Sequence, residues 1–96
     1  MDTFKINIEK HNGTFYVSTA RRKERLFTFF PSDYSNDTWF FDVPERQTGL
    51  IFTVSDTVPV KFINELIKSL IIIRYGVIEF EVDFTAQANK LLGIKQ

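Results

Sequence analysis

Four cations lie within five consecutive residues, and nucleic-acid binding is the chemistry that their setting suggests. The cations are Arg21, Arg22, Lys23 and Arg25. This basic run leads into a strand that carries Phe27 and Phe29, and Tyr16 lies on the strand before it. Cations that contact phosphates beside aromatic rings that stack on bases are typical of proteins that bind single-stranded nucleic acid.

The basic run also has a simpler interpretation, as a charged surface turn. The chain holds 12 basic and 12 acidic residues, so no overall field attracts a polyanion. It contains no RNP-like or zinc-knuckle motif. Both interpretations stay open, and nucleic-acid binding through the basic run and Tyr16 is the alternative functional hypothesis.

Groups suited to catalysis are scarce in this sequence. The single histidine, His11, adjoins the Asn12-Gly13 turn, and a general base needs a partner that orients it. None of the serines lies in a nucleophile-elbow context, and the four glycines are too scattered to form a phosphate-binding loop. The sequence therefore predicts a non-enzymatic protein with no catalytic residue and no cofactor.

Two acidic patterns raise the question of a metal site. Asp33, Ser35 and Asp37 match the first, third and fifth positions of a calcium loop. The match then fails, because Thr38 replaces the glycine of the tight turn and Pro44 replaces the bidentate glutamate. Alternating carboxylates in the last strand are typical of a solvated face that protects a sheet edge. We expect no metal site.

Aromatic residues are more abundant than one small domain can easily bury. Eleven Phe, three Tyr and one Trp make up 16% of the chain. Segments 26–30, 39–41 and 50–54 carry apolar side chains on both faces of the expected sheet, and exposed aromatic patches usually mark interfaces. The sequence therefore predicts a partner-binding sheet face that consists of Phe27, Phe29, Tyr34, Trp39 and Phe41.

A hairpin is the clearest of the elements that position these residues. Asn12-Gly13 is the preferred two-residue type I′ turn, because both central positions need positive φ. Side-chain alternation agrees with the register that this turn sets. That register pairs Lys10 with Phe15, Ile8 with Val17 and Ile6 with Thr19.

Residues 59–73 predict one long amphipathic helix. Pro59 is favoured in the first turn, and Asp56 or Thr57 can cap it. Ile72 falls on the polar side of the helical wheel. The apolar arc consists of Phe62, Ile63, Leu66, Ile67, Leu70 and Ile73.

The end of the chain predicts a half-buried strand and a short helix. Segment 77–84 alternates strictly, which places Ile78 on the apolar face with three later residues. Thr85 can cap the last helix and Gly93 can end it. The inward residues of that helix are Ala88, Leu91 and Leu92.

The predicted order along the chain is therefore βββββαβα. We expect an α+β fold with a mainly antiparallel sheet of about six strands. The long helix packs on one face of it, and a short C-terminal helix follows. No repeat, linker or low-complexity tract divides residues 1–96, so the sequence predicts a single domain.

Composition excludes several classes of protein. Without cysteine the chain is not a disulfide-stapled secreted scaffold, nor does it ligate zinc or an iron–sulfur cluster through thiolates. Its first residues lack the pattern of a signal or transit peptide. The most apolar stretch, 62–73, is too short and too polar to cross a bilayer. We expect a soluble, cytoplasmic protein without a membrane partner.

The leading functional hypothesis is a small non-enzymatic interaction module. It would bind a protein partner, or a second copy of itself as a homodimer, through the aromatic sheet face. Small cysteine-free chains rich in Phe, Ile, Lys and Asn are common among phage and mobile-element accessory proteins, and many of those bind and block a host protein. That composition favours an inhibitor or regulator. The alternative for the aromatic residues is a sheet that curls and buries them.

Overall fold

The computed structural model of the chain describes residues 2–32, 38–45, 50–53 and 60–92. Its elements are β1 (Asp2–His11), β2 (Thr14–Thr19), β3 (Arg25–Pro31), β4 (Thr38–Asp42), β5 (Leu50–Thr53), α1 (Val60–Tyr75), β6 (Phe80–Phe84) and α2 (Ala86–Leu92). This order agrees with the predicted one. The predictions for the loop with Tyr34, for the helix cap at Asp56 or Thr57 and for the stop at Gly93 lie outside the described residues.

One mixed sheet joins the strands in the order β5-β4-β3-β2-β1-β6. Strands β1 to β5 pair antiparallel with their neighbours along the chain, whereas β6 runs parallel to β1. Helix α1 connects the two opposite edges, from β5 to β6, and parallel strands need such a crossover. The α+β class is confirmed, and the antiparallel description holds for every pairing except that of β1 with β6.

The first hairpin has the predicted turn and the predicted register. Asn12 and Gly13 have φ of 52° and 82°, which is the left-handed region that a type I′ turn requires. In the ladder, Lys10 pairs with Phe15, Ile8 with Val17 and Ile6 with Thr19. Local turn chemistry therefore fixes the centre of the sheet.

A β-bulge at Leu26 interrupts the pairing of β2 with β3. Val17 pairs with Phe27, but the next pair is Ser18 with Arg25, so one extra residue lies on β3. Leu26 and Phe27 are consequently both fully buried, although they are adjacent in the chain. The bulge also keeps Arg25 in register with Ser18, on the sheet face opposite to the core.

The hydrophobic core lies on one face of the sheet. Alternate side chains of β1 to β4 point into it, and both helices contribute to the same cluster. On β3 and β4 the buried side chains other than Leu26 are aromatic. Rings of Phe15 and Phe29 stack with centroids 4.7 Å apart, and Phe29 and Phe41 stack at 5.3 Å. Much of the aromatic surplus is therefore used inside the domain.

Helix α1 faces the sheet with an arc that differs from the predicted one. Its buried residues are Ile63, Ile67, Leu70 and Ile71, whereas Ile73 is 67% exposed. At about 100° per residue, Ile71 and Ile73 lie about 80° to either side of Ile63. The prediction that Ile73 is buried is wrong, because the helix is rotated toward the Ile71 side.

The last strand starts later than its alternation suggests. Its first ladder pair joins Phe80 to Asp2, where β1 begins. Ile78 precedes that ladder and is 85% exposed, so its predicted place on the apolar face is wrong. The predicted cap of α2 is present, because the Thr85 hydroxyl accepts a hydrogen bond from the Ala88 amide at 3.2 Å.

Candidate functional site

A cleft of about 640 Å³ opens at one end of the sheet. The start of β1, the turn between β2 and β3, and the end of α1 meet there. Residues from all three form its walls: Phe4, Lys5, Arg21, Arg22, Arg74 and Tyr75. We call this feature the cationic cleft. Its volume lies in the range of ordinary ligand pockets.

The turn between β2 and β3 is closed by hydrogen bonds between its two ends. The Thr19 amide donates to the Glu24 carbonyl at 2.9 Å, and the Glu24 amide donates to the Thr19 hydroxyl at 3.2 Å. Lys23 adopts a left-handed backbone with φ of 55°. This closure leaves the side chains of Arg21 and Arg22 exposed on the wall of the cationic cleft.

Arg74 joins the end of α1 to the sheet and is not free to bind a ligand. Its Nη1 donates to the Arg25 carbonyl at 2.7 Å, and its Nη2 donates to the Leu26 carbonyl at 3.2 Å. Its Nε donates to the Glu45 carboxylate at 2.9 Å, and Glu24 lies 3.6 Å from Nη1. Only 14% of this side chain is exposed. Arg74 is therefore a structural group of the wall.

Tyr75 provides the aromatic wall of the cationic cleft. Its ring lies 5.3 Å from that of Phe4, and the Arg22 guanidinium lies over it at 5.5 Å. Its hydroxyl donates to the Glu24 carboxylate. Burial, followed by that hydrogen bond, raises the pKa of the Tyr75 phenol above its ordinary value of 10.0. The hydrogen bond to Glu24 and the contact with Phe4 together hold the ring in place.

The remaining cations of the cleft are available to an anion. Lys5, Arg21 and Arg22 are exposed, and none of them forms an ion pair within the described part of the chain. Asp2 is the acidic residue on the same lining. An excess of positive charge in a concave site attracts anions more strongly than the same charge on an open surface.

The residues that the sequence suggested for nucleic-acid binding lie on different parts of the surface. Arg21 and Arg22 face the cationic cleft, and Lys23 is exposed in the turn. Arg25 instead lies on the outer face of the sheet, where its guanidinium stands over the Tyr16 ring at 4.6 Å. The aromatic neighbour of the cleft cations is therefore Tyr75 rather than Tyr16.

The aromatic residues proposed as a partner-binding face are part of the core. Phe27, Phe29 and Phe41 are fully buried, and Trp39 is 5% exposed. The expectation that these four side chains form an exposed patch is wrong, because helix α1 covers the face on which they lie. For example, the ring centroids of Phe41 and Phe62 of α1 are 4.8 Å apart. Tyr34 lies outside the described residues.

Exposed apolar side chains occur at two other places in the described structure. On the outer sheet face Phe30, 39% exposed, stacks on Phe40 with centroids 5.4 Å apart. At the end of α1, Ile72 and Ile73 are 46% and 67% exposed, and Ile78 follows the helix. We call these three isoleucines, which lie close together in the sequence, the isoleucine cluster.

Within residues 2–32, 38–45, 50–53 and 60–92, no group of three or more His, Cys, Asp or Glu side chains is placed to hold a metal ion. The helices found in the same residues are too short or too polar to cross a membrane. Neither a protein-family model, nor a curated protein, nor a solved structure matches the chain. Function must therefore be inferred from the geometry of the cleft and the exposed surfaces.

Most wall residues of the cationic cleft were missed from the sequence, Lys5, Arg74 and Tyr75 among them. Lys5 belongs to β1, and Arg74 and Tyr75 end α1, about 50 residues after the basic run. The one available signal was an arginine in the last turn of a helix, where a cation is favoured by the helix dipole. That signal does not indicate which strand the helix end approaches.

Proposed function

We propose that the protein is a non-enzymatic binding module that binds single-stranded nucleic acid at the cationic cleft. The observation that carries the proposal is that Lys5, Arg21 and Arg22 line the same cleft as Tyr75, with the Arg22 guanidinium over the Tyr75 ring. Phosphates pair with such cations, and a ring is useful only to bases that are not already stacked in a duplex. This arrangement supports sequence-independent binding, because it combines positive charge with an aromatic ring and has no motif that reads bases.

Binding is expected to weaken steeply with salt. If the three free cations each neutralise one phosphate, the dissociation constant for a single strand should rise roughly 20-fold between 50 and 200 mM salt. Fluorescence anisotropy of a labelled oligothymidylate of about 12 nucleotides measures this slope. Replacing both Arg21 and Arg22 with Glu should abolish binding at 200 mM salt.

The matched control replaces Lys61 and Lys68 with Glu. Both lie on the exposed side of α1, away from the cationic cleft, and the net charge changes by the same amount. This variant should bind within about twofold of the wild type, because local charge rather than net charge attracts the strand. Equal losses in the two double variants, or binding that ignores salt, would contradict the proposal.

A second proposal retains the interaction module, an inhibitor or regulator that binds a protein partner or its own copy. The isoleucine cluster favours it, since side chains exposed by 46% to 85% leave apolar surface in water.

If a second copy covers the cluster, light scattering after size exclusion should give about twice the chain mass of 11.3 kDa at low and high salt. Ile73→Lys should restore the monomer, whereas Glu65→Lys on the same helix should not. A monomer at every concentration would eliminate self-association.

A further inference from the structure

We infer that Tyr75 is the base-stacking platform of the cationic cleft, and that an incoming base displaces Arg22 from its ring. The inference rests on the proposed binding of single strands and names the group that receives the base. At present the Arg22 guanidinium lies 5.5 Å from the Tyr75 ring centroid, over the face on which a base would stack. In nucleic-acid binding proteins, guanidinium groups and bases stack on the same aromatic faces.

The Tyr75 ring is held in position before any ligand arrives. Phe4 contacts it with centroids 5.3 Å apart, and Glu24 accepts a hydrogen bond from its hydroxyl. The adjacent Arg74 is anchored to two backbone carbonyls of β3 and to Glu45. A platform that is fixed in advance loses little conformational entropy when a base stacks on it.

Arg22, by contrast, can leave the ring at small cost. Its side chain is exposed, and its contact with Tyr75 is the exposed kind of cation–π interaction, which is weaker than the stacking of a base on an aromatic ring. Once displaced, the guanidinium is free to pair with the phosphate of the same nucleotide, beside Arg21 and Lys5. One side chain therefore covers the platform in the free protein and contacts the backbone of the strand in the complex.

The consequence is that bases and phosphates contribute separately to binding. Two probes separate them: an oligothymidylate of about 12 nucleotides, and an abasic strand with the same number of phosphates. At 50 mM salt the wild-type protein should bind the base-bearing strand about tenfold more tightly, the ratio expected from one stacked base. Binding is measured by fluorescence anisotropy, and the ratio of the two affinities is compared within each variant.

Two substitutions of Tyr75 test the platform. Tyr75→Phe keeps the ring and should retain the tenfold ratio, whereas Tyr75→Leu keeps apolar bulk without a ring and should reduce the ratio to about one. Because both affinities are taken from the same preparation, partial unfolding of a variant does not change the ratio. A ratio that stays near ten in Tyr75→Leu would overturn the inference.

Arg22→Met tests the exchange itself. The variant should keep the preference for the base-bearing strand, because the ring remains, while the magnitude of the logarithmic salt slope falls by about 0.7 with the loss of one cation. Loss of the base preference in this variant would show that the guanidinium, and not the ring, stacks on the base.

The outcomes also separate this inference from the function on which it rests. Equal, salt-dependent binding of both strands by the wild type overturns the platform and leaves the cationic site in place. Absence of binding to either strand at 50 mM salt overturns the proposed function itself.

Discussion

Replacing Phe29 with alanine is expected to lower the free energy of unfolding by about 3–5 kcal/mol, a large part of the total for a domain of this size. The ring is fully buried and contacts four other aromatic side chains. Centroid distances are 4.7 Å to Phe15, 5.3 Å to Phe41, 5.7 Å to Trp39 and 6.1 Å to Phe27. Removal leaves a cavity that these rigid rings cannot close. Urea unfolding followed by the fluorescence of the single, buried tryptophan measures the loss.

Phe30→Ala is the matched control for this experiment. Phe30 is the next residue on the same strand, but it lies on the outer face and is 39% exposed. Its loss removes a stacking contact with Phe40 and should reduce stability by about 1 kcal/mol. Equal effects of the two substitutions would mean that the outer face is covered as thoroughly as the core.

The second large effect is expected from Arg74→Met, at about 2–4 kcal/mol of destabilisation. Methionine keeps the aliphatic volume, but the carbonyls of Arg25 and Leu26 and the carboxylate of Glu45 lose their donor. The Arg74 side chain is 14% exposed and the Leu26 carbonyl is part-buried, where an unpaired polar group costs more than the net gain of the hydrogen bond that satisfied it. The same urea titration measures the difference.

Two further arginine variants show whether geometry or charge is responsible. Arg74→Lys keeps the charge without the planar fork, so it should recover less than half of the lost stability. Arg21→Met removes an exposed arginine and should change stability by no more than about 0.5 kcal/mol. If lysine at position 74 restored full stability, the hydrogen-bond geometry described for Arg74 would not be what holds the helix end.

Local chemistry in the sequence was sufficient to predict the elements and one register. The Asn12-Gly13 turn admits few backbone conformations, so it determines which residues of β1 and β2 face each other. The Thr85 cap and the long helix were likewise evident, because capping and apolar periodicity act within a few residues. Signals of this kind do not depend on distant parts of the chain.

Predictions that depended on tertiary packing succeeded less well. The segment 26–30 reads as apolar on both faces, yet the bulge turns Leu26 inward, and Phe30 is its large exposed hydrophobic residue. The rotation of α1 about its axis determines that Ile71 is buried and Ile73 exposed. No residue of the helix alone sets that rotation. The cationic cleft could not be predicted for the same reason, because its walls come from three separate segments of the chain.

The bulge at Leu26 has a consequence for comparing this chain with others. Phe27 and Phe29 of β3 face the core, whereas Arg25, also odd-numbered, faces outward with Ser18. Leu26 therefore behaves as an inserted residue, since pairing on either side of it is continuous without it. An alignment gap at this position keeps the neighbouring residues of β3 and the basic turn in register, although it removes a buried side chain and a carbonyl that accepts from Arg74. A gap two residues earlier removes Glu24, and with it the hydrogen-bond partner of Thr19 and Tyr75.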